Sequence, residues 1–355
     1  MCRVRADKSL SPFEIRVYHH YRTVHGIRVA LAFVLTFLLT RLLNIPESTW
    51  ALVTTVVIMA PISFWGNVVS RAIQRAGGTI LGSISGLIAL QLELYSLPLM
   101  LVWCAAAMFL CGWLALGKKP YQALLIGVTL AIVVGAPTGN MDVALWRSGD
   151  VILGSLLAII FTGIWPQRAF MHWRIKSATF LTDYNRLYQT AFSPNLIERP
   201  RLDKQIQELL NEVVKMRALL APASKETGIP KSILEAIHTI NRNLVCMLEL
   251  QINAYWATRA SHFVLLNAPD LRQAQSTVQQ TLLTIVHTLY DGQPQTVFAN
   301  TEKLNETAAQ LRQLIEHHHA LDVAETPIHG YVWLSMETAR QLELLSHLIS
   351  RALRK

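Results

Sequence analysis

Charge is scarce in this chain. Only 15% of its 355 residues are Asp, Glu, Lys or Arg, against 52% hydrophobic, where soluble domains carry about a quarter charged residues. The shortage is uneven. Residues 1–166 hold 12 Lys and Arg with 6 Asp and Glu, while residues 167–355 hold 20 and 17. The first part therefore has the composition of a chain with lipid-facing surface, and the second that of an ordinary soluble protein. The boundary falls at Trp165-Pro166, and two domains fit the length.

Acidic residues are the scarcer sign, which leaves a net charge of +9. A basic surplus is one mark of a nucleic-acid binder. Here 6 of the surplus charges lie in the apolar half, at positions where loops between apolar runs belong. That is the pattern of membrane topology and excludes a nucleic-acid groove. Cysteine is almost missing. Cys2, Cys104, Cys111 and Cys246 have neither metal-ligand spacing nor a disulfide framework. Cys104 and Cys111, seven apart, share one face of an apolar helix as small packing residues. Strand-like alternation is missing as well. So is a cleavable signal peptide, because the first apolar run follows a long polar and basic stretch, Met1 to His25, and is itself followed by further runs.

Catalytic signatures are absent: there is no His-Glu-x-x-His and no Gly-x-Ser-x-Gly. The stretch Gly112 to Lys119 nearly matches a phosphate-binding loop, but Lys119 stands where Ser or Thr should hold magnesium, and no strand precedes it. His317, His318 and His319 are consecutive, so on a helix they point apart and cannot converge on one ion; His19-His20 fails in the same way. No metal, no cofactor and no enzymatic activity are expected.

What the chain does have is six apolar runs: Gly26–Leu43, Thr49–Phe64, Thr79–Leu94, Leu97–Leu116, Tyr121–Ala136 and Asp150–Trp165. Each approaches the roughly 20 helical residues that a bilayer core requires. Cations orient them. Arg3, Arg5, Lys8, Arg16 and Arg22 precede the first run, and Arg71 and Arg75 lie between the second and third. Lys118 and Lys119 lie between the fourth and fifth, and Arg168, Arg174 and Lys176 follow the sixth. The alternate connections are poor in cations. The positive-inside rule then puts both termini in the cytoplasm. Before the first run, Ser11-Pro12-Phe13-Glu14 has the form of a capping box with Pro in the first turn. It predicts a short amphipathic helix on the cytoplasmic membrane surface. The expected domains are an N-terminal arm, 1–25, a six-span transmembrane domain, 26–166, and a helical cytoplasmic domain, 167–355.

The third run is the most informative. Gly78, Gly82 and Gly86 recur at every fourth position. They place a flat stripe on one helix face, against which another backbone can pack closely. The stripe fits packing inside the bundle; it equally fits a helix that lines a pathway or a subunit interface. Ionisable residues near the membrane add candidates, because such groups are often functional there: Arg28, Arg41, Arg71, Arg75, Arg147 and Asp150. Arg75 sits at the mouth of the glycine-striped run. Arg147 and Asp150 are three apart, on one helix turn. Hydroxyls at Thr36, Thr40, Thr54, Thr55 and Thr129 lie within the runs, though singly a Thr usually bonds back to its own helix.

After Pro166 the pattern is helical throughout, over about 169–192, 202–220, 231–256, 271–290, 297–318 and 331–353. Breaks are expected at Ser193-Pro194, Pro222, Gly228-Pro230, Asn267-Pro269, Asp291-Gly292-Pro294 and Thr326-Pro327. In the third of these runs Ile233, Ile237, Ile240, Leu244, Met247, Gln251 and Tyr255 follow an alternating three-and-four spacing, the buried seam of a helix bundle.

Three segments carry a family resemblance: Trp50 to Pro61, Arg71 with Arg75 and Gly77 to Gly86, and Arg147 to Gly154 with Trp165-Pro166. They resemble the fusaric-acid-resistance and aromatic-acid-exporter family, whose membrane unit is similar to that of the plant aluminium-activated malate transporters. The resemblance covers the membrane half and looks most like a small enterobacterial inner-membrane member. It implies export or channel-like passage of organic anions, often aromatic carboxylates. It carries Arg75 to Thr79 onto the family's Arg-x-x-Gly-Thr-like element, and Arg147, Asp150 and Gly154 onto the element before the last span. The bacterial exporters carry two membrane units in one chain, whereas this chain has one. The plant relatives build a pore from two subunits. The resemblance therefore implies a homodimer with the glycine-striped span near its interface or pore. The sequence carries no ATPase motif, so active export is expected to draw on an ion gradient, most simply protons; no residue is identified as the proton carrier, and Asp150 is the acidic residue to test. A different class of function, a membrane-anchored scaffold or sensor whose helical half binds a protein partner, needs neither the small-residue stripe nor arginines at span mouths.

Overall fold

The structure is a computed structural model. It describes residues 9–45, 48–59, 64–117, 119–135, 141–164, 167–293 and 325–354. Among them the chain is helical: α1 Pro12–His19, α2 Tyr21–Leu42, α3 Thr49–Met59, α4 Trp65–Glu93, α5 Leu97–Ala115, α6 Pro120–Val134, α7 Met141–Ile164, α8 Ala169–Ala191, α9 Asp203–Thr227, α10 Lys231–Tyr255, α11 Arg259–Asn267, α12 Pro269–Asp291 and α13 Glu325–Leu353. The helices divide into two units, His20–Gln167 and the described residues up to His19 together with those from Arg168 onward.

The first unit contains α2 to α7. By length and composition α2 and α5 can cross a bilayer, while α3, α6 and Ser148–Ile164 of α7 are shorter apolar helices. The polarity of the unit is inverted. The buried residues of α2 are Arg28, Ala32, Thr36 and Thr40, whereas Leu31, Val34, Leu35 and Leu38 are exposed. On α5, Leu101, Val102, Phe109 and Trp113 are likewise exposed. A water-soluble helix buries such side chains; a lipid-facing one turns them outward. α4 differs from the sequence expectation. It starts at Trp65 rather than Thr79 and runs 29 residues, so Arg71 and Arg75 are helical residues, not loop residues. Hydropathy misses this portion because Asn67, Ser70, Arg71, Gln74 and Arg75 lower its mean.

The second unit is a helical bundle with a conventional core. All seven residues of the seam on α10, from Ile233 to Tyr255, are buried. α9 ends on Gly228 and α12 on Gly292, both left-handed at φ 75° and 74°, the conformation that favours glycine at a helix C-terminus. Pro222 does not break α9, which continues through it and buries the ring. Pro269 opens α12 at its first turn, where a missing N–H costs little. α11 was not anticipated, and the helical run at 297–318, with His317, His318 and His319, lies outside the described residues.

The N-terminal helix belongs to this second unit. Its capping box forms: Glu14 N–H donates to Ser11 Oγ at 3.2 Å and Ser11 N–H donates to Glu14 Oε2 at 2.9 Å. Part of its apolar side packs on protein, while Phe13 stays 62% exposed. Leu10 and Tyr18 pack with Met171 and Ile175. Arg168 N–H donates to Tyr18 Oη at 3.0 Å and Leu10 N–H to the Tyr290 carbonyl at 2.9 Å. The start of α8 is capped by Glu226, whose Oε2 accepts from Phe170 N–H at 3.2 Å. A carboxylate there satisfies an orphan donor and complements the helix dipole. Arg174, fully buried, donates through Nε to the Leu289 carbonyl at 2.8 Å.

Candidate functional site

The candidate site is built on α4, which carries two adjacent stripes. The first contains the glycines. A Cβ at Gly78 would come 2.8 Å from Leu125 Cβ, one at Gly82 2.6 Å from Thr129 Cβ, and one at Gly86 2.6 Å from Val133 Cβ. All three neighbours lie on α6, so this stripe is filled from within the same chain. The close approach replaces side-chain contact with backbone packing, which is how small-residue stripes associate helices in lipid. Arg71 continues this side toward the start of the helix, with its guanidinium 4.3 Å from the centre of the Tyr121 ring on α6, a cation–π pair.

The second stripe is polar: Arg75, Thr79 and Ser83, spaced by four, and all buried. Arg75 is only 7% exposed. Its Nε donates to Thr54 Oγ1 on α3 at 3.1 Å, which fixes the guanidinium plane. Thr54 is also where α7 arrives. A Cβ at Gly154 would lie 2.9 Å from Thr54 Cβ and 2.5 Å from the Ala51 carbonyl oxygen, so only glycine permits this crossing. Thr55 ties the same crossing, its hydroxyl donating to the Ala51 carbonyl at 3.0 Å and to the Gly154 carbonyl at 3.3 Å. Ser83 Oγ and Ser148 Oγ, 2.6 Å apart, are hydrogen-bonded between α4 and α7. Asp150, one turn before Gly154 on α7, is 2% exposed.

The polar groups thus lie among α3, α4 and α7, in the interior of a unit with an apolar exterior. At one end an apolar layer closes them off: Ala32 of α2, Ile58 and Met59 of α3, Val68 and Ala72 of α4, and Ala158 of α7. A buried guanidinium in such surroundings is expensive unless it is bonded or serves a ligand.

Of the residues singled out in the sequence, the structure brings Arg75 and Thr79 onto one buried face and buries Asp150 in the same unit. Arg71 is set apart, against α6. Arg147 lies on α7, with its side chain outside the described residues. Gly78, Gly82 and Gly86 face α6, so the stripe itself is closed to a second subunit. The sequence offers Thr54 only as one of several hydroxyls that usually bond back to their own helix, and it assigns no role to Ser83 or Ser148. Ser83 was within reach, since Arg75, Thr79 and Ser83 already follow the helical repeat. Thr54 was not, because its pairing joins residues 21 apart through tertiary structure. The near-match to a phosphate-binding loop comes to nothing: Gly112 lies inside α5.

An apolar-surfaced helical unit with a buried arginine is the build of a membrane protein, and comparison with known proteins agrees. Residues 22–352 match the fusaric acid resistance protein family, and the chain belongs to that family. It is 77% identical over 352 residues to the inner membrane protein YeeA of Escherichia coli (strain K12), covering 99% of this chain and all of that one. It is 28% identical over 240 residues to the p-hydroxybenzoic acid efflux pump subunit AaeB of Edwardsiella ictaluri, and 25% identical over 279 residues to that of Yersinia enterocolitica. These two matches cover 61% and 70% of this chain but only 36% and 40% of the AaeB chains.

Proposed function

We propose that this protein is an inner-membrane transporter, acting as an exporter, of small organic anions such as aromatic carboxylates. The observation that carries the proposal is Arg75: a cation held in the interior of an apolar-surfaced unit, fixed at Nε by Thr54. A bond at Nε leaves the other edge of a guanidinium for bidentate capture of a carboxylate, and the low-dielectric setting strengthens the attraction. Thr79 and Asp150 belong to the same pathway, Arg71 and Arg147 to its approaches. The family, the name of the Escherichia coli relative and the efflux activity in the names of the AaeB relatives support this reading.

In the full proposal α2 to α7 form a six-helix transmembrane bundle, followed by a helical cytoplasmic domain, with both termini in the cytoplasm. The chain matches about two fifths of the AaeB length, and a second copy would supply the second membrane unit, so the working form is a homodimer. With the glycine stripe occupied by α6, the dimer uses another surface. Active export draws on an ion gradient, most simply protons, with Asp150 as the carrier. Arg75→Ala tests the site: in proteoliposomes it abolishes organic-anion flux while membrane insertion stays intact. Wild-type flux in that variant removes Arg75 from the pathway.

A further inference from the structure

Contacts within the first unit fix the register of α7 against α4 at three levels. Ala158 of α7 shares the apolar layer with Val68 and Ala72 of α4. Gly154 then meets Thr54 of α3, which holds Arg75. Ser148 finally meets Ser83, oxygen to oxygen at 2.6 Å. Residue numbers rise along α4 and fall along α7, so the two helices are antiparallel. Thr79 and Asp150, both buried, fall between the second level and the third. Arg75 and Ser83 are eight residues apart, about 12 Å along a helix. The interior around Arg75 is thus bounded along α4 by the apolar layer on one side and by the Ser83–Ser148 bond on the other.

The two boundaries differ in what it takes to open them. Parting the apolar layer brings Ile58, Met59 and Val68, all fully buried, toward water. Parting two serines uncovers no such surface. A serine or threonine hydroxyl in a helix can donate to the carbonyl four residues back, as Thr55, Ser155 and Thr162 do at 3.0, 2.7 and 2.7 Å. Ser83 and Ser148 can fall back on the same bond, so their separation strands no buried hydroxyl. The next residue on α7 supplies the movement. Gly149 lies inside the helix, where glycine weakens it relative to alanine, and a Ser-Gly pair is a usual place for a helix to bend. Packing does not require this glycine: a Cβ at Gly149 would meet nothing within 4 Å, whereas one at Gly154 would meet the Ala51 carbonyl oxygen at 2.5 Å.

We propose that the Ser83–Ser148 contact is the outer gate of the anion pathway and that Gly149 is its hinge. This rests on the transport reading given above. In the proposed topology Arg75 lies nearer the cytoplasmic end of α4 and Ser83 nearer the periplasm, so the gate stands on the exit side. An anion held at Arg75 waits behind the closed serine pair. When α7 bends at Gly149, Ser148 parts from Ser83, and the anion passes Thr79 and leaves between α4 and α7, while Gly154 stays seated on α3. A second arginine at this point would hold the carboxylate; a neutral serine pair lets it go.

The experiment is flux of benzoate and of 4-hydroxybenzoate in proteoliposomes holding the full chain as wild type, as Gly149→Ala, or with Ser83→Cys and Ser148→Cys together. Sulfurs placed where two oxygens lie 2.6 Å apart reach disulfide distance with little movement. Oxidation should cut flux in the double variant at least about tenfold, and reductant should restore it. Each single cysteine variant should keep its flux through both treatments, which sets aside the native Cys104 and Cys111. Gly149→Ala, which stiffens the hinge, should lower kcat about fivefold without lowering the melting temperature. Undiminished flux in the fully cross-linked double variant overturns the gate. Wild-type kcat in Gly149→Ala overturns the hinge, and that variant decides alone if the cysteines do not cross-link. In both cases the wild type still carries anions and the transport reading stands; if wild type carries neither acid, that reading falls and this inference falls with it.

Discussion

Arg75 is bound to its site by geometry as well as by charge. Lys at this position keeps the charge but loses both the Nε donor to Thr54 and the planar fork. Arg75→Lys should therefore lose at least about tenfold in flux, mostly through KM, while inserting and folding as wild type. Flux and KM in proteoliposomes, beside a thermal melt in detergent, check this. A second residue reports on the helical unit. Burial pushes the His172 imidazole down to about 4 from its ordinary 6.5, with the positive charge of Lys176 and then His19 adding to the effect. The folded protein keeps His172 neutral where the unfolded chain would protonate it. The contribution is full above pH 6.5 and is lost as pH falls toward 4, at most about 3 kcal/mol. Glu226 runs the other way, its carboxyl raised by burial against the backbone N–H groups of Ala169 and Phe170. The informative measurement is thus a difference. His172→Gln should narrow the gap in unfolding midpoint between pH 7 and pH 5 relative to wild type, and an unchanged gap would show that His172 does not titrate with folding.

At the scale of elements, the pairing of α4 with α6 depends on atoms that are not there. A side chain at Gly82 meets Thr129 Cβ at 2.6 Å and the Ile126 carbonyl oxygen at 2.7 Å, and backbone on the opposing helix cannot give way cheaply. Gly82→Leu should cost more than about 3 kcal/mol and separate the two helices. Gly112→Ala, where nothing lies within 4 Å, should be neutral or slightly stabilising. Detergent melts of the two variants make the comparison. The stripe was legible from its spacing alone, since small residues every fourth position leave few other uses. Its partner was not legible, because nothing in the run 120–134 announces which helix will fill it. The same limit hid the placement of α1. Its capping box follows from Ser11 and Glu14, which are local, but Tyr18 meets Arg168 across 150 residues. The start of α4 was hidden for another reason: hydropathy registers lipid-facing helices, and the first half of α4 carries Arg71, Gln74 and Arg75. Thr54 reads as an ordinary back-bonding threonine in the sequence, because its bond from Arg75 is made across two helices.

For the whole molecule, the two units divide the work along the lines of composition. The charge-poor residues form the unit whose surface is apolar and whose interior holds arginine, threonine and aspartate; the charge-balanced residues form the bundle with an apolar core. The proposed topology makes a direct prediction: reporters fused at Tyr95 score as periplasmic, while those fused after the last residue score as cytoplasmic, following the distribution of cations. The reverse result would overturn the orientation. The central claim is that Arg75 binds a carboxylate in transit. The measurement that tests it most directly is saturable flux of aromatic carboxylates in proteoliposomes, with and without a pH gradient, for wild type and Arg75→Ala side by side. The account predicts saturable, gradient-dependent flux in the wild type and none in the variant. Correctly inserted wild-type protein that moves no organic anion would contradict it, and would leave the scaffold reading, with a protein partner for the helical bundle, as the one to pursue.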